Sequence, residues 1–389
     1  MSRKVDAWVL YAGENEKPVR AKLVRETIEL PPLRDHDVRA QPLYGTWEGN
    51  MGHALNRRPI DICRQRGEAK VVIGNAGVLK ILEVGPKVEN VESGQYAIIF
   101  CAGVEDRWGY PVKIMAYDAP GTMGCLAHEM VLTDRQLIPL PDSSRHTLQQ
   151  WSAFSLRYVT AWSNWELAYG AFRLLITEEE YASPNVWGWG GGVTYAELDL
   201  ARRHGCRAVM FSGNPRHLEK IKRLGLTTVD RRTFGELNFD DTRYKNDPSY
   251  REEYKTREEA FLSEVRLRTH GEMVQIFLDY VGSPVYRATL RALSREGVIA
   301  TAGWKQGMEI WHLRAKECIE RHQHIYTHYA RYQQGVRAVA YAETNDWMPE
   351  IDEKQIYTFD QIPQLAEDYE AGTTGIFPCF SINPERANG

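Results

Sequence analysis

Four glycines stand within five residues at Gly188, Gly190, Gly191 and Gly192, after the apolar run Asn185–Trp187 and before a segment whose apolar residues recur every three to four positions. Strand, glycine turn and helix in that order suit phosphate chemistry. Glycine lets the backbone approach a pyrophosphate, and the free N–H groups and dipole of a helix start face the anion. The place where such a turn carries its last glycine holds Thr194. Its β-carbon and two branches are expected to push the helix outward or to reorient the turn, and its hydroxyl could itself donate to a phosphate. A glycine-rich link that binds nothing fits the same residues, so the turn gains weight only from the strand after it.

That strand is a second apolar run, Ala208–Phe211, ending in Ser212, Gly213 and Asn214 with Arg216 beyond. A site for NAD(H) usually ends this strand with an acid, which accepts from the ribose 2′-hydroxyl and repels a 2′-phosphate. With Ser212 and Arg216 there instead, NADP(H) is the expected cofactor. Arg216 and Lys220 equally fit the solvated face of a helix.

The elements that must position these residues can be read from texture. Residues 1–150 are rich in short Val, Ile, Gly and Pro runs broken by turns, which is all-β texture. From residue 151 the pattern becomes helical and then alternates strand and helix up to about 350, the pattern of a doubly wound parallel sheet of Rossmann type. Residues 351–389 again read as strand, helix and strand and are expected to return to the first domain. The charged stretch from Arg231 to Gly271 reads as a solvated helical insertion, after which strands resume around a helix over Ser283–Ser294. The fold class is therefore α/β, a β-rich domain followed by a parallel-sheet domain.

Composition bounds the partners. The chain has 389 residues, 43% of them apolar, enough for two domains, and a formal charge of −4 that offers no field for nucleic acid or an anionic membrane. Its six cysteines lie far apart without a CxxC pair, and no stretch reads as a secretory leader or a membrane span. A cytoplasmic protein with reduced thiols is expected.

The segments "VIGNAGVLKILEVG", "VESGQYAII", "GCLAHEMVL", the "TAW" of Thr160 to Trp162, the glycine turn and "FLDYVGSPVYRATLRALSREGVIATAG" together resemble the medium-chain dehydrogenase/reductase superfamily over nearly the whole chain. Within it, "IMAYDAPGTMGCLAHEMVLTDRQLIPLP", "VWGWGGG", the charged insertion after "VDRR" and "CIERHQHIYTHYARY" are similar to the crotonyl-CoA carboxylase/reductase branch of enoyl-thioester reductases. The resemblance implies a GroES-like first domain and a homodimer formed through a sheet edge near "ATAGW". It also implies reduction of an α,β-unsaturated acyl thioester by NADPH. To Gly188, Gly190, Gly191, Gly192, Ser212 and Arg216 it adds Thr160, Val193, Gly282 and Gly303 as residues expected to line the cofactor.

Carboxylating relatives are thought to hold carbon dioxide between an asparagine, a Phe-Glu pair and a histidine. Tyr117 and Asp118 fall on the pair and His328 on the histidine, whereas Tyr44 or Gly45 stands where the asparagine would be. Tyr117, Asp118 and His328 are thus the candidates to face substrate, with reductive carboxylation kept as a variant. Tyr-Asp-Ala-Pro-Gly is also a good turn sequence. No metal is expected: Tyr44 or Gly45 stands near the first zinc-ligand position of the superfamily's alcohol dehydrogenases, "GNA" at Gly74–Ala76 replaces their zinc-binding Gly-His-Glu, and there is no cysteine cluster. His312, His322, His324 and His328 have no carboxylate at a matching spacing in the sequence and read as surface or hydrogen-bonded residues. Thr194, the missing asparagine, and Trp187 and Trp189 beside the glycines also fit a scaffold that has kept the fold and lost turnover.

Overall fold

The structure, a computed structural model, describes residues 3–14, 19–303, 314–327 and 329–384. It divides into two compact units, Met1–Val159 with Ala330–Gly389, and Thr160–Tyr329; the division falls inside the helix Leu148–Leu175.

In the first unit Val5, Ala7 and Val9 are buried while Lys4, Asp6 and Trp8 are at least partly open, the period-two pattern of a half-buried strand, broken at its end by the buried Leu10. The main sheet is antiparallel, its strands lying in the order Leu137–Pro139, Tyr96–Ile99, Gly77–Val84, Asp37–Thr46 and Cys379–Ser381. Met130–Thr133 also pairs with Asp37–Thr46. Register shifts at Arg39/Ala40 and Pro42/Tyr44 bend that shared strand, and the sheet curls into a GroES-like half-barrel. The helix Tyr332–Asn345 belongs to this unit, whereas the sequence boundary near 350 put it in the other. Tyr332 donates its hydroxyl to the Leu137 carbonyl at 2.9 Å and sets its ring edge-on against Phe100 at 5.6 Å.

The second unit is built on six parallel strands: β1 (Asn185–Trp189), β2 (Arg207–Ser212), β3 (Thr227–Asp230), β4 (Val274–Asp279), β5 (Leu293–Thr301) and β6 (His324–Thr327). Their order is β3-β2-β1-β4-β5-β6. Every residue of β1 and β4 is buried, as expected where helices cover both faces of a sheet. The crossover helices are α1 (Gly192–Arg203), α2 (Pro215–Arg223), α3 (Pro248–Arg268) and α4 (Ser283–Ala292). Strand order reverses between β1 and β4, which leaves a crevice at their carboxyl ends, the usual ligand position in such sheets.

Two expectations are corrected here. The strand ending in "ATAGW" is not an edge, because β6 pairs along it from Val298–His324 to Thr301–Thr327. The insertion after Arg231 is not simply solvated: Tyr254, Phe261, Leu262 and Val265 on α3 are buried, three of them in the core of the sheet, while Glu252 and Glu253 face water. Four apolar residues at helical spacing were enough to make a packing face within a charged segment.

Candidate functional site

The glycine turn carries β1 into α1. Gly190 has φ +146°, a conformation only glycine adopts easily, and a methyl group on Gly188 would lie 2.5 Å from Thr194 Cγ2. Thr194 sits inside the turn. It is fully buried, fills the space above Gly188 and Gly190, and donates its hydroxyl to the Trp189 carbonyl at 3.0 Å. That bond consumes the donor a phosphate would have used. Gly191 is the N-cap of α1, and nothing lies within 4 Å of where its β-carbon would be. Beside it the first N–H groups of α1, those of Gly192 and Val193 included, have no acceptor within the helix.

The crevice beside the turn holds residues that the sequence pattern did not single out. Tyr280, one residue past β4, donates its backbone N–H to the Trp189 carbonyl at 3.2 Å. Its ring lies 2.8 Å from where a β-carbon on Gly303 would be, so Gly190 and Gly303 approach the same side chain. The Tyr280 hydroxyl donates to Glu197 on α1 at 2.7 Å, and Asn164 donates to both oxygens of that carboxylate at 3.1 Å. Burial pushes the Glu197 carboxyl up to about 8 and drives the Tyr280 hydroxyl the same way. Thr160 precedes Asn164 by one helical turn and is partly exposed.

Asp279, at the end of β4, accepts from the N–H groups of Val281 and Gly282 at 2.9 Å, which sets the turn into α4 with Gly282 as its N-cap. Burial raises its carboxyl to about 6. Thr289 links it at 3.3 Å to the Trp189 indole, which donates to the threonine hydroxyl at 2.8 Å. Trp189 is thus a fixed part of the turn. Glu197 was detectable in the sequence, since it falls four residues after Val193 and four before Ala201, on the apolar stripe of α1.

At the end of β2, Ser212 accepts from the Asn214 N–H at 3.2 Å, and Asn214 caps α2 through the Arg216 N–H at 3.0 Å. The Arg216 side chain is exposed and has no side-chain partner among the described residues. The cation that lies over this strand end is Arg231: a β-carbon on Gly213 would be 2.9 Å from its Nε. Ser212 stands opposite Asp230, whose carboxyl is held down at about 2 by hydrogen bonds from Arg232. That pairing leaves Arg231 without a carboxylate partner among the described residues.

In the first unit Tyr117 is buried and comes directly after Ala116, which has φ +56°. Asp118 accepts from the Ile114 N–H at 2.6 Å, closing the loop on itself, and Arg66 donates to the Tyr117 carbonyl at 3.5 Å. His328 lies outside the described residues, as does His312. His322 and His324 have a carboxylate in space that the sequence did not suggest, Glu296 at 2.8 and 3.4 Å. The segments expected to replace a zinc site are neighbours, with Gly45 opposite Gly77 and the Thr46 N–H donating to the Ala76 carbonyl at 3.2 Å. Asn75 there is buried and donates to the Met115 carbonyl at 3.3 Å. Among the described residues no three His, Cys, Asp or Glu side chains converge as metal ligands.

No protein-family model and no curated protein sequence matches the chain. Solved structures do. A crotonyl-CoA carboxylase/reductase superposes with a TM-score of 0.78 at 19% identity, covering 99% of this chain and 90% of that one. A 2-octenoyl-CoA carboxylase reductase in complex with NADP and 2-octenoyl-CoA superposes with a TM-score of 0.78 at 16% identity, covering 100% and 90%. A putative alcohol dehydrogenase from Sinorhizobium meliloti 1021 gives 0.71 at 17% identity, covering 98% and 99%. With a curled antiparallel unit and a six-stranded parallel unit over its length, the chain has the medium-chain dehydrogenase/reductase fold in the form that the crotonyl-CoA carboxylase/reductases adopt.

Proposed function

We propose that the chain is an NADPH-dependent reductase of an activated C=C, its substrate an α,β-unsaturated acyl thioester, and that it works without zinc. The observation that carries the reading is the turn itself. Gly191 leaves open backbone at the first N–H groups of α1, and Thr194 packs over Gly188 and Gly190 without occupying that space. Backbone N–H groups there would hold the pyrophosphate, and Ser212 with Arg231 and Arg216 would take the 2′-phosphate, with no unpaired acid beside them to repel it. Tyr280 and Gly303 would bound the crevice on the β4 side, Tyr280 being held by Glu197 and Asn164. NADPH, when bound, supplies the hydride. The solved relatives of the same fold that carry NADP, one with an enoyl-CoA, support this choice of cofactor and substrate class.

A tryptophan-fluorescence titration tests the cofactor. Saturation by NADPH at micromolar concentration, with NADH at least tenfold weaker, is the expected result, followed by loss of NADPH absorbance on adding crotonyl-CoA or a longer enoyl-CoA. No binding at millimolar NADPH would favour the second reading, a scaffold that keeps the fold. The observation behind that reading is that the Asp118 carboxylate, expected to face substrate, is engaged by its own loop. Addition of bicarbonate to the same assay separates plain reduction from reductive carboxylation, since only the latter yields an acid one carbon longer.

A further inference from the structure

At the end of the parallel sheet opposite the glycine turn lies a cavity of about 460 Å³, within the range of small-molecule sites. Its floor is one cross-strand row. Trp187 on β1 is in register with Val209 on β2, and Val209 with Thr227 on β3, so the three side chains point to the same face. Helix α3 covers that face through Phe261, which packs on Trp189 and Phe211 at 5.2 and 5.7 Å, and through Val265. It stops at Arg268, before it has covered the row, and the chain turns back through His270 and Gly271, both with positive φ. The row is thereby left open at one end.

The rim of this opening is cationic. Arg202, Arg207, Arg268 and His270 line the cavity, and no carboxylate does. The arginines have acidic partners outside the lining: Asp199 for Arg202 at 2.8 Å, Glu272 for Arg207 at 3.0 Å and Glu264 for Arg268. Those partners fix the guanidinium groups in place. In the floor, the Trp187 indole nitrogen is buried and has no acceptor among the described residues, although an N–H shut away from water ordinarily finds one.

We propose that this cavity is a second binding site, for a small aromatic carboxylate whose apolar body rests on the Val209–Thr227 row beside the Trp187 indole and whose anion accepts from the rim arginines. An apolar floor alone would favour a neutral hydrocarbon, and a cationic rim alone a free inorganic anion. The two together select a molecule with both parts. Trp187 precedes Gly190 by three residues, which places the floor about 10 Å from the turn, toward the other end of the strands, so its occupant does not compete with a dinucleotide. The site is independent of the reductase function.

The experiment uses the full-length protein labelled with nitrogen-15 and tracks the indole N–H signals during addition of sodium benzoate to about 10 mM, since a ligand of about nine heavy atoms is expected to bind in the millimolar range. One signal, absent from the Trp187→Phe protein, should move and saturate with benzoate. Benzamide, which is neutral, and sodium chloride should not move it, and saturating NADPH should leave the benzoate response in place. Arg268→Gln and Arg202→Gln, both on exposed side chains, should each weaken the response about tenfold. No saturating shift, an equal shift with benzamide or chloride, loss of the shift on adding NADPH, or unchanged affinity in both arginine variants would overturn the proposal.

Discussion

Two residues near the turn carry opposite lessons about what a side chain does for an anion. Arg216 has the sequence position of a phosphate selector, yet it stands in water on the second residue of α2, while Arg231 lies directly over Gly213. Replacing Arg231 by Ala should weaken NADPH by about 1.5–3 kcal/mol and leave NADH nearly unchanged, a larger effect than Arg216→Ala gives. Parallel fluorescence titrations of the two variants check this, and equal losses for both cofactors would remove the 2′-phosphate from the account. Thr194 is the converse case, a residue that could serve a phosphate and instead serves the backbone. Thr194→Gly deletes the bond to the Trp189 carbonyl and leaves a void over Gly188 and Gly190. It should destabilise the fold by about 2 kcal/mol, from glycine's cost within a helix and the lost hydrogen bond together. NADPH affinity should change by less than about threefold, because the hydroxyl is already engaged. A tenfold loss of affinity would mean that the threonine reaches the phosphate after all.

At the scale of the element, the turn separates glycines needed for packing from the glycine that leaves space. A methyl on Gly188 meets Thr194 at 2.5 Å and Leu278 at 3.3 Å, whereas one on Gly191 meets nothing. Gly188→Ala should therefore lower stability by about 1–3 kcal/mol, read by urea denaturation, whatever it does to binding. Gly191→Ala should leave the denaturation midpoint almost unchanged and weaken NADPH at least tenfold, because the added methyl stands where the phosphate approaches. The strand–turn–helix unit and the alternating texture of the second domain were legible because periodicity is a local property, whereas the change of strand order after β1 was not. The illegible parts came from distant segments. Tyr280, Asn164 and Glu197 are brought together from residues 164, 197 and 280, and Glu296 meets His322 and His324 only through the β5–β6 pairing. Arg231 was visible only as one of many charges in "VDRR". It takes the packing of β2 beside β3 to show which of those charges lies over a glycine.

At the scale of the whole molecule, an exposed sheet edge is a surface open to a second copy, and on the β5 side of the parallel sheet the edge is His324–Thr327, not the strand before it. Light scattering at micromolar concentration is expected to give twice 44.7 kDa, and a 44.7 kDa particle would leave that edge unpaired. Global stability offers a sharper test, because two buried carboxyls in the second unit titrate in different windows. Both are raised by burial, Asp279 to about 6 and Glu197 to about 8, from ordinary values near 4. A carboxyl raised in the folded state keeps its proton while the unfolded chain has lost it. The folded state then binds more protons, and stability falls as pH rises from the unfolded value to the folded one. The Asp279 contribution is spent by about pH 6, so the decline between pH 6 and 8 belongs to Glu197. Denaturant midpoints should fall across that interval, by on the order of 3 kcal/mol in unfolding free energy. In Glu197→Gln the amide oxygen still accepts from Tyr280 and there is no proton to lose, so the curve should flatten between pH 6 and 8 and remain sloped below 6. A variant that kept the parent slope in the upper window would show that Glu197 is ionised in the folded protein, with the Tyr280 hydroxyl and the Asn164 amide enough to hold its charge.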